Sequence, residues 1–487
     1  MTSTPIASKI IPKAVRAKID PSQIEYSSDR QRNAVNALVN EFTVSPQLLQ
    51  DIKVNFIEGM NKGLKKDGET MAMVTSYVMG RLDGSEVGSY LALDVGGTNL
   101  RVVAVHLTGG GEITTRQTKY RIDEKLKVGD AKTLFDFMAV CVDSFLDEHQ
   151  ISVRGDTQFE LGFTFSFPVL QTSINRGTLI SWTKGFNASG MVGKDPVAYL
   201  QDAFNRRHIP VRVAALVNDT VGTLLAHAYN NPDTCMGVIL GTGCNAAYIE
   251  KIENIAKWKG DAAAKEMIIN MEFGAFDKER EVLPLTMFDN KMDRKSVNPN
   301  KQILEKMIAG MYLGEITRNI LLNLIDRRLL FEGNISADLN QMWTFETAYM
   351  STIEADNSAT LHATRKILES TLNFSSTTMN DRQIVKLIVE LVGKRAARLS
   401  AAAIAGVLEH SGAWKQKAAI GIDGSLFEYY PSFNTDIMDG LEEVFGPVVR
   451  QNVSIGLAQD GSGVGAALCA LLAAKHSSEQ ASGTPAL

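Results

Sequence analysis

Two short glycine-rich turns constrain the possible fold of this chain more than any other feature. One turn is "DVGGTN" at residues 94–99, and the other is "LGTGCN" at residues 240–245. Each turn lies between two strand-like runs, so the sequence predicts two similar strand–turn–strand units. Two such units, each donating one loop, would face each other across a cleft, where small-molecule sites commonly form. The repeat is weak, because little else aligns between the two halves.

Glycine turns of this kind suit phosphate oxygens. Without a Cβ in the way, an anion can approach the unpaired backbone N–H groups of the turn. Thr98, Asn99 and Thr242 can add side-chain donors. Asp94 is negative at neutral pH, so it suits a hydrated Mg²⁺ rather than a phosphate. The alternative is an ordinary hairpin that closes two strands, and either turn alone is compatible with it.

Two other nucleotide-binding folds fit the sequence poorly. Segments 241–246 and 461–466, "GTGCNA" and "GSGVGA", satisfy the G-x-G-x-x-A pattern of dinucleotide-binding folds. The first continues as a strand, "AAYIE", where that fold requires a helix. The second leaves no room for a further strand and a ribose-binding acid. The sequence also lacks the P-loop pattern G-x-x-x-x-G-K-[ST].

One carboxylate occupies a position suited to catalysis. "VRVAALV" at 211–217 predicts a buried strand and "VGTLLAHAY" a helix, so Asp219 lies at the carboxyl end of the strand. Ligands of α/β sheets gather at such ends. An Asp that accepts a hydroxyl proton there would suit phosphoryl transfer. The alternative is that Asp219 or Thr220 only caps the helix, and spacing alone favours capping.

Composition and charge exclude several classes of function. A hydrophobic content of 45% with 22% charged residues is typical of a soluble globular protein. Alternating strand and helix patterns, including long helical patterns at 302–331 and 384–409, indicate an α/β architecture. A net charge of −5 argues against a nucleic-acid surface, and no apolar run approaches a membrane span. Four cysteines without a C-x-x-C pair favour reduced thiols and a cytoplasmic location.

A hydroxyl-rich acceptor would explain several polar residues in motif-like segments. Amides and carboxylates hold vicinal hydroxyls with paired hydrogen bonds, and such a site rejects an analogue that lacks one hydroxyl. Taken singly, Glu305 is typical of a solvated helix face and Lys184 of a surface lysine. The candidates are Ser166, Thr183, Lys184, Asn218, Asn245, Glu272 and Glu305.

The motifs together resemble those of the eukaryotic hexokinase and glucokinase family, in particular its single-unit fungal members. They are "LALDVGGTNLRV", "LGFTFSFPV", "SWTKGF", "VNDTVGT", "GTGCNAAY", "NMEFGAF" and "DGSGVGAAL", in the order of the family. The resemblance implies an α/β, two-lobed actin-like ATPase fold of the ribonuclease H-like class, with an interlobe active-site cleft. It implies a small lobe at 84–217 and a large lobe at 32–83 and 218–473, with flexible tails at 1–31 and 474–487.

The resemblance also implies the reaction, which is MgATP-dependent phosphorylation of the 6-hydroxyl of glucose and other hexoses. Asp219 and Lys184 match the catalytic positions, with Asp219 as the base. The hexose-contacting positions are Ser166, Thr183, Lys184, Asn218, Asp219, Asn245, Glu272 and Glu305. The ATP-binding positions are Asp94, Gly96, Gly97, Thr98, Asn99, Arg101, Lys119, Gly241, Thr242, Gly243, Asp423, Gly424 and Ser425. No residue is expected to bind Mg²⁺ directly, since ATP phosphates and water near Asp94 would hold it.

Some features depart from the family or stay open. Phe273 stands where relatives often have Trp, which we interpret as a packing difference, and residues 332–345 show no adenine-side match. The basic start of the chain could be a transit peptide, although Pro5 and Pro12 favour a flexible tail. A catalytically weak sugar sensor and an actin- or chaperone-like ATPase are the rival functions. A hexose is the expected partner, without nucleic acid or membrane, for a monomer or homodimer.

Overall fold

The structure, a computed structural model, describes residues 18–152, 157–260 and 264–482. By their contacts these residues form two compact units. The first unit comprises the described residues of Met1–Thr43 and of Gly314–Lys394. The second unit comprises the described residues of Val44–Leu313 and of Arg395–Leu487. All the strands named below belong to the second unit.

The strands form two main sheets and one hairpin. They are β1 Val74–Met79, β2 Val87–Val95, β3 Asn99–Gly109, β4 Glu112–Arg121, β5 Phe159–Phe165, β6 Val169–Ser173, β7 Arg176–Leu179, β8 Val211–Val217, β9 Thr234–Leu240, β10 Cys244–Lys251, β11 Glu266–Asn270, β12 Ala418–Asp423 and β13 Val453–Leu457. The six-stranded sheet has the order β1-β11-β10-β9-β12-β13, and the five-stranded sheet has the order β4-β3-β2-β5-β8. Strands β6 and β7 pair with each other.

Helices connect and cover the sheets. They are α1 Asp29–Phe42, α2 Pro46–Lys65, α3 Glu124–Val128, α4 Ala131–Glu148, α5 Pro196–Arg206, α6 Asp219–Asn230, α7 Met287–Lys295, α8 Ile303–Ile308, α9 Gly310–Asp326, α10 Ala337–Asn340, α11 Thr347–Ala355, α12 His362–Lys366, α13 Met379–Ser411, α14 Ser425–Tyr429, α15 Phe433–Phe445, α16 Val449–Asn452 and α17 Ala466–Ser482. Among the described helices, none combines the length and apolarity needed to cross a membrane.

The five-stranded sheet is covered on both faces. One face packs against α4 and α5, with Phe135, Phe163 and Phe204 in the shared core. The other face packs against α17, and α6 lies between α17 and strands β9, β10 and β12 of the six-stranded sheet. A Cβ on Gly162 of β5 would lie 1.9 Å from Ala466 O, so α17 begins directly against the middle of the sheet. This contact would place α17 with the predicted small lobe, and the lobe boundaries stay a prediction.

Hydrogen bonds within the first unit hold the described residues before and at the start of α1. The Ile19 N–H donates to Glu390 Oε2 at 3.0 Å. Gln31, in the first turn of α1, donates from Nε2 to Leu329 O at 2.7 Å. Residues 18–31 therefore pack on their own unit, while the rest of the predicted N-terminal tail lies outside the described residues.

Most predicted elements appear where the sequence places them. The strand predicted at 211–217 is β8, and the apolar face predicted for α2 is buried at Ile52, Phe56 and Met60. The helical pattern at 302–331 divides into α8 and α9, because Ala309 adopts an extended conformation between them. Phe273 is buried and meets Phe56 edge to face, with ring centroids 6.1 Å apart, which agrees with a packing role.

Candidate active site

The candidate base lies where a buried strand gives way to a helix. Strand β8 ends at Val217, and α6 begins at Asp219, which is half-buried. The helix cap is Asn218, whose Oδ1 accepts from the Thr220 N–H at 3.0 Å and from its hydroxyl at 2.6 Å. The alternative that Asp219 is the cap is therefore wrong, since the preceding amide has that role. The carboxylate of Asp219 is left available at the positive end of the helix.

The electrostatic setting of Asp219 suits a proton acceptor. Burial raises the pKa of the Asp219 carboxyl, the ammonium of Lys184 opposes this shift, and the negative charge of Asp94 adds to it. Lys184 and Asp94 therefore both lie within electrostatic reach of Asp219. A carboxylate with a raised pKa accepts a proton more readily near neutral pH than an ordinary aspartate does.

Side chains hold the first glycine turn in place. Asp94, at its start, accepts on Oδ2 from the Ser462 hydroxyl at 2.8 Å and from Arg101 Nη2 at 3.3 Å. Arg101 Nη2 also donates to Ser462 Oγ at 2.7 Å and pairs with Asp460 Oδ1 at 2.5 Å. Thr164 on β5 donates to Ser462 O at 2.7 Å. A turn from the far end of the chain thus fixes the acid of the first glycine turn.

Backbone contacts hold the second turn. Its own hydrogen bond runs from the Gly241 N–H to Gly243 O at 3.0 Å. Two carbonyls of the turn accept from the start of α9. Gly241 O accepts from the Gly310 N–H at 2.8 Å, and Thr242 O accepts from the Met311 N–H at 3.2 Å. The break between α8 and α9 therefore supplies the donors that anchor this turn.

The predicted adenosine motif lies against the second turn. Gly424 has φ 124°, and a Cβ at that position would lie 2.4 Å from Leu240 O. Only glycine fits such a backbone and such a close approach. On another side of the turn, Glu305 Oε2 accepts from the Cys244 N–H at 3.0 Å. Residues 423–425 and Glu305 thus both lie against the second turn.

Backbone donors remain available in both turns. In the first, the Gly96 N–H donates to Asn99 O at 3.0 Å. The N–H groups of Gly97 and Thr98, and that of Thr242 in the second turn, donate to no acceptor within the described residues. Unpaired N–H groups on glycine turns attract anions. The donor set of both turns therefore fits phosphate oxygens.

Two other predicted ATP-side residues differ in their surroundings. Asp423 ends β12, and burial raises the pKa of its carboxyl, with smaller contributions from the charges of Asp219 and Asp460. Lys119 is exposed on the edge strand β4, opposite Arg101 in the register. Lys119 forms no ion pair with other described residues.

Glu272 is the centre of a hydrogen-bonded cluster on the six-stranded sheet. Its Oε1 accepts from Asn270 Nδ2 at 2.9 Å and from Asn245 Nδ2 at 3.3 Å. Its backbone N–H donates to Asn245 Oδ1 at 3.0 Å. Burial raises the pKa of the Glu272 carboxyl, the amides oppose the shift, and Asp219 adds to it. Glu272 therefore lies within electrostatic reach of the candidate base, and Asn245 is hydrogen-bonded to Glu272.

Glu305 adjoins this cluster. Burial raises the pKa of the Glu305 carboxyl, and the charge of Glu272 adds to the shift. A Cβ on Gly274 would lie 3.1 Å from Glu305 Cβ and 3.2 Å from Gln302 Oε1. Gln302 Oε1 is buried without a hydrogen bond to the described residues. An unpaired amide oxygen beside Glu305 is available to a ligand hydroxyl.

The predicted residues near the five-stranded sheet are less tightly joined. Lys184 has φ 56°, its ammonium lies 5.6 Å from the centre of the Phe167 ring, and its Cβ lies 3.7 Å from the Cβ position of Gly97. Lys184 thus lies against the first turn. Ser166, half-buried after β5, and Thr183, exposed, make no hydrogen bond to the other candidates within the described residues.

Sequence reasoning missed three residues of this site. Asn270 opens the "NMEFGAF" motif, Ser462 lies in "GSGVGA", and Gln302 precedes Glu305 by less than one helical turn. Their positions inside motif-like segments were the available signal. Their partners come from other strands and turns, so pattern alone did not assign a role.

One acid beside the first turn, Asp94, fits a hydrated Mg²⁺. Within the described ranges, no group of three or more His, Cys, Asp or Glu side chains is arranged to hold a metal ion. Asp94 Oδ1 makes no hydrogen bond to the described residues. One carboxylate oxygen beside a phosphate cradle suits Mg²⁺, which keeps several of its waters.

Comparison with known proteins agrees with this geometry. Two profiles described as hexokinase match residues 34–229 and 235–472. A glucokinase of Aspergillus niger is 40% identical over 465 residues, covering 88% of this chain and 94% of its own. Hexokinase-1 of Schizosaccharomyces pombe is 40% identical over 444 residues, covering 91% of each chain. The structure of a Schistosoma mansoni hexokinase complexed with glucose has a TM-score of 0.81 and 35% identity, covering 92% of this chain and 100% of its own.

The fold and the site first indicate a general class of enzyme, and the comparisons then identify the family. Two sheets that each present a glycine turn, with an acid at a strand end, suit a phosphoryl-transfer enzyme, and the similar hexokinase structures confirm the predicted two-lobed actin-like fold. The chain belongs to the hexokinase family. Its activity is that of a hexokinase or glucokinase, a transferase that phosphorylates sugar in glycolysis.

Proposed function

We propose that this chain transfers the γ-phosphoryl group of ATP to the 6-hydroxyl of glucose and of other hexoses. The setting of Asp219 carries the proposal. It is a half-buried carboxylate with a raised pKa, within electrostatic reach of Lys184, Asp94 and Glu272. The glucose complex of the Schistosoma mansoni hexokinase supports glucose as a substrate.

The hexose is held by groups that pair with its hydroxyls. Glu272, Glu305 and Gln302 each have a carboxylate or amide oxygen available at the site, and Asn218 keeps its Nδ2 free of the cap. Vicinal hydroxyls pair well with such groups. The full proposed set is Ser166, Thr183, Lys184, Asn218, Asp219, Asn245, Glu272 and Glu305, with Gln302 added from the geometry.

The two glycine turns bind the phosphates. The unpaired N–H groups of Gly97, Thr98 and Thr242 donate hydrogen bonds to phosphate oxygens, and residues 423–425 lie on the adenosine side. Mg²⁺, when bound through water beside Asp94, neutralises charge on the phosphate oxygens.

Asp219 acts as the general base in this proposal. It accepts the proton of the sugar hydroxyl as that oxygen bonds to phosphorus and the bond to the ADP oxygen breaks. The ammonium of Lys184 offsets negative charge on the transferred group. A base of raised pKa completes the proton transfer near neutral pH.

Closure of the two lobes around the sugar is the last element of the proposal. The first turn follows β2 in one sheet, and the second follows β9 in the other. Movement of one sheet toward the other excludes water, which would otherwise compete with the sugar as acceptor. Small-angle scattering with and without glucose tests this step, and a smaller radius of gyration with glucose is expected.

The substitution Asp219→Asn tests the assignment of the base. Turnover of glucose, measured by a coupled assay for glucose 6-phosphate, should fall by a factor of about 10² to 10⁴. The matched control is Asp195→Asn, which changes an acid that caps α5 by accepting from the Val197 N–H. A folded Asp219→Asn protein with normal turnover would contradict the assignment.

The rival sugar sensor makes a different prediction for the same assay. A sensor binds glucose, as seen by calorimetry, and forms no glucose 6-phosphate. An ATPase of the chaperone type hydrolyses ATP at the same rate with and without hexose. Rates with glucose, fructose, mannose and N-acetylglucosamine would then define the hexose preference.

A cytoplasmic location and a monomeric or dimeric state are also proposed. All four cysteines are unpaired, as suits a reducing compartment. Cell fractionation tests the location, and light scattering of the purified protein tests the oligomeric state.

A further inference from the structure

We propose that Asn270 is a positioning residue of the sugar site, which acts by holding the carboxylate of Glu272. The inference rests on the proposed function, because it requires Glu272 to contact the hexose. Asn270 is buried, with 7% of its surface exposed, and both ends of its amide are hydrogen-bonded within the site.

The sheet fixes the backbone of Asn270. Strand β11 lies between β1 and β10, and Asn270 is opposite Val74 on one side and Ala247 on the other. Side chains two residues apart on a strand share a face. Asn245 therefore lies on the same face as Asn270, diagonally across the ladder, which brings the two amides together.

Asn245 is fully committed to protein partners. Its Oδ1 accepts from the N–H groups of Ala246 at 2.8 Å and Glu272 at 3.0 Å. Its Nδ2 donates to Asn270 Oδ1 at 2.8 Å and to Glu272 Oε1 at 3.3 Å. A primary amide has two lone pairs and two hydrogens, so its capacity is used. In this structure Asn245 therefore holds both Asn270 and Glu272 in place.

The two oxygens of Glu272 are divided between protein and ligand. Oε1 accepts from both amides, whereas Oε2 makes no hydrogen bond to the described residues. Glu272 also has φ 54°, a left-handed conformation that its surroundings must stabilise. The Asn245–Asn270 pair therefore fixes the carboxylate plane, and Oε2 is the oxygen left for a sugar hydroxyl.

The charges around Glu272 make the amide donors important. Asp219 on α6 and Glu305 on α8 are the facing carboxylates, and the Cys244 thiol on β10 is also within electrostatic reach. Loss of the Asn270 amide removes a hydrogen bond that stabilises the negative charge of Glu272, while the like charges of Asp219 and Glu305 remain. The pKa of Glu272 then rises further, and a protonated Glu272 accepts a hydroxyl hydrogen bond less well.

The test compares Asn270→Ala with Asn270→Asp. Asn270→Ala removes both hydrogen bonds, and Asn270→Asp keeps the volume but points a carboxylate at Glu272. We expect the Kd and KM for glucose to rise about tenfold in Asn270→Ala and more in Asn270→Asp, with kcat changed less than threefold. The pH below which glucose binding is lost, the acid limb of the binding profile, should move to a higher value in both variants. The move should be larger in Asn270→Asp than in Asn270→Ala.

The control is Asn319→Ala, which removes another buried amide that donates to a carboxylate, Glu315 Oε1, at 3.4 Å. It should change the melting temperature and leave glucose binding unaltered. If Asn270→Ala fails to fold, the glucose Kd and the acid limb of the isosteric Asn270→Asp variant test the inference. A folded Asn270 variant with the Kd and acid limb of the wild-type protein overturns the inference. Absence of glucose phosphorylation by the wild-type protein would instead overturn the proposed function.

Discussion

The two glycine turns differ in how the rest of the molecule holds them. The first is anchored by side chains, through the network of Asp94, Arg101 and Ser462. The second is anchored mainly by backbone, through the start of α9 and the close approach of Gly424, with Glu305 accepting from the Cys244 N–H at its end. Both leave N–H groups available to an anion. Similar local sequences thus present backbone N–H donors on supports of different kinds.

This difference has a consequence for function. Close backbone packing leaves little freedom for rearrangement, whereas a network of charged and hydroxyl side chains can exchange partners. We therefore expect the second turn to be a rigid platform and the first turn to be the adjustable one. Substitutions in the two supports should differ accordingly.

The largest effect is expected for Gly424→Ala. The added Cβ would lie 2.4 Å from Leu240 O and 2.7 Å from the Gly241 N, on a backbone with φ 124°. Overlap with backbone should lower the free energy of unfolding by about 2–4 kcal/mol. Displacement of the second turn should reduce kcat/KM for ATP by about a hundredfold or more.

The control for this substitution is Gly446→Ala. Gly446 has φ 79° with no atom within 4 Å of its Cβ position, so it isolates backbone strain from overlap. Its cost should be about 1 kcal/mol, with unchanged kinetics. Urea unfolding and ATP titration of both variants make the comparison, and equal effects would refute the rigid platform.

Lys184→Met should have the next largest effect, on the side of the first turn. Loss of the ammonium should reduce kcat by roughly a hundredfold, since the charge on the transferred group is less compensated. Lys184 also opposes the burial that raises the pKa of Asp219, so its removal raises that pKa further. Because the base acts only when deprotonated, the acid limb of kcat should move to higher pH.

The pH profile of kcat from about pH 5 to 8 checks this expectation. Lys415→Met is the control, because that ammonium also lies over an aromatic ring, 5.7 Å from the centre of Trp414. An acid limb that stays in place, or moves to lower pH, in Lys184→Met would contradict the electrostatic link to Asp219.

The sequence predicted local structure well and tertiary partners poorly. Periodicity placed α2 and β8, because burial of one face depends on neighbouring residues in the chain. Spacing favoured Asp219 as a helix cap, whereas the structure gives that role to Asn218. Both residue types suit a cap, so only the geometry separates them.

Contacts between distant segments explain the residues that were missed. Ser462 meets Asp94 across most of the chain, and Asn270 meets Asn245 through the register of two strands. No local pattern encodes such pairs. The resemblance to a family named candidate site residues but not the residues that hold them, since motifs record position and not partners.

Arg101→Ala is expected to have an intermediate effect. It removes charge-assisted hydrogen bonds to Asp94 and Asp460, which contribute roughly 1.5–3 kcal/mol each in partly buried sites. KM for ATP should rise about tenfold, with a smaller change in the KM for glucose. Arg212→Ala is the control on the same sheet, where the pair with Glu160 is exposed. Equal effects of the two substitutions would mean that the network does not support the first turn.

Ser462→Ala should have the smallest effect and bears most directly on the comparison. The hydroxyl accepts from Arg101 and donates to Asp94, while the direct contact between those two residues remains at 3.3 Å. A network that exchanges partners should shorten that contact, so KM for ATP should rise only about fivefold, near 1 kcal/mol. Ser462→Thr, which keeps a hydroxyl, should have the KM for ATP of the wild-type protein. Ser454→Ala on β13 is the control and should leave that KM unchanged. A loss as large as that of Gly424→Ala would show that the first turn is as rigid as the second.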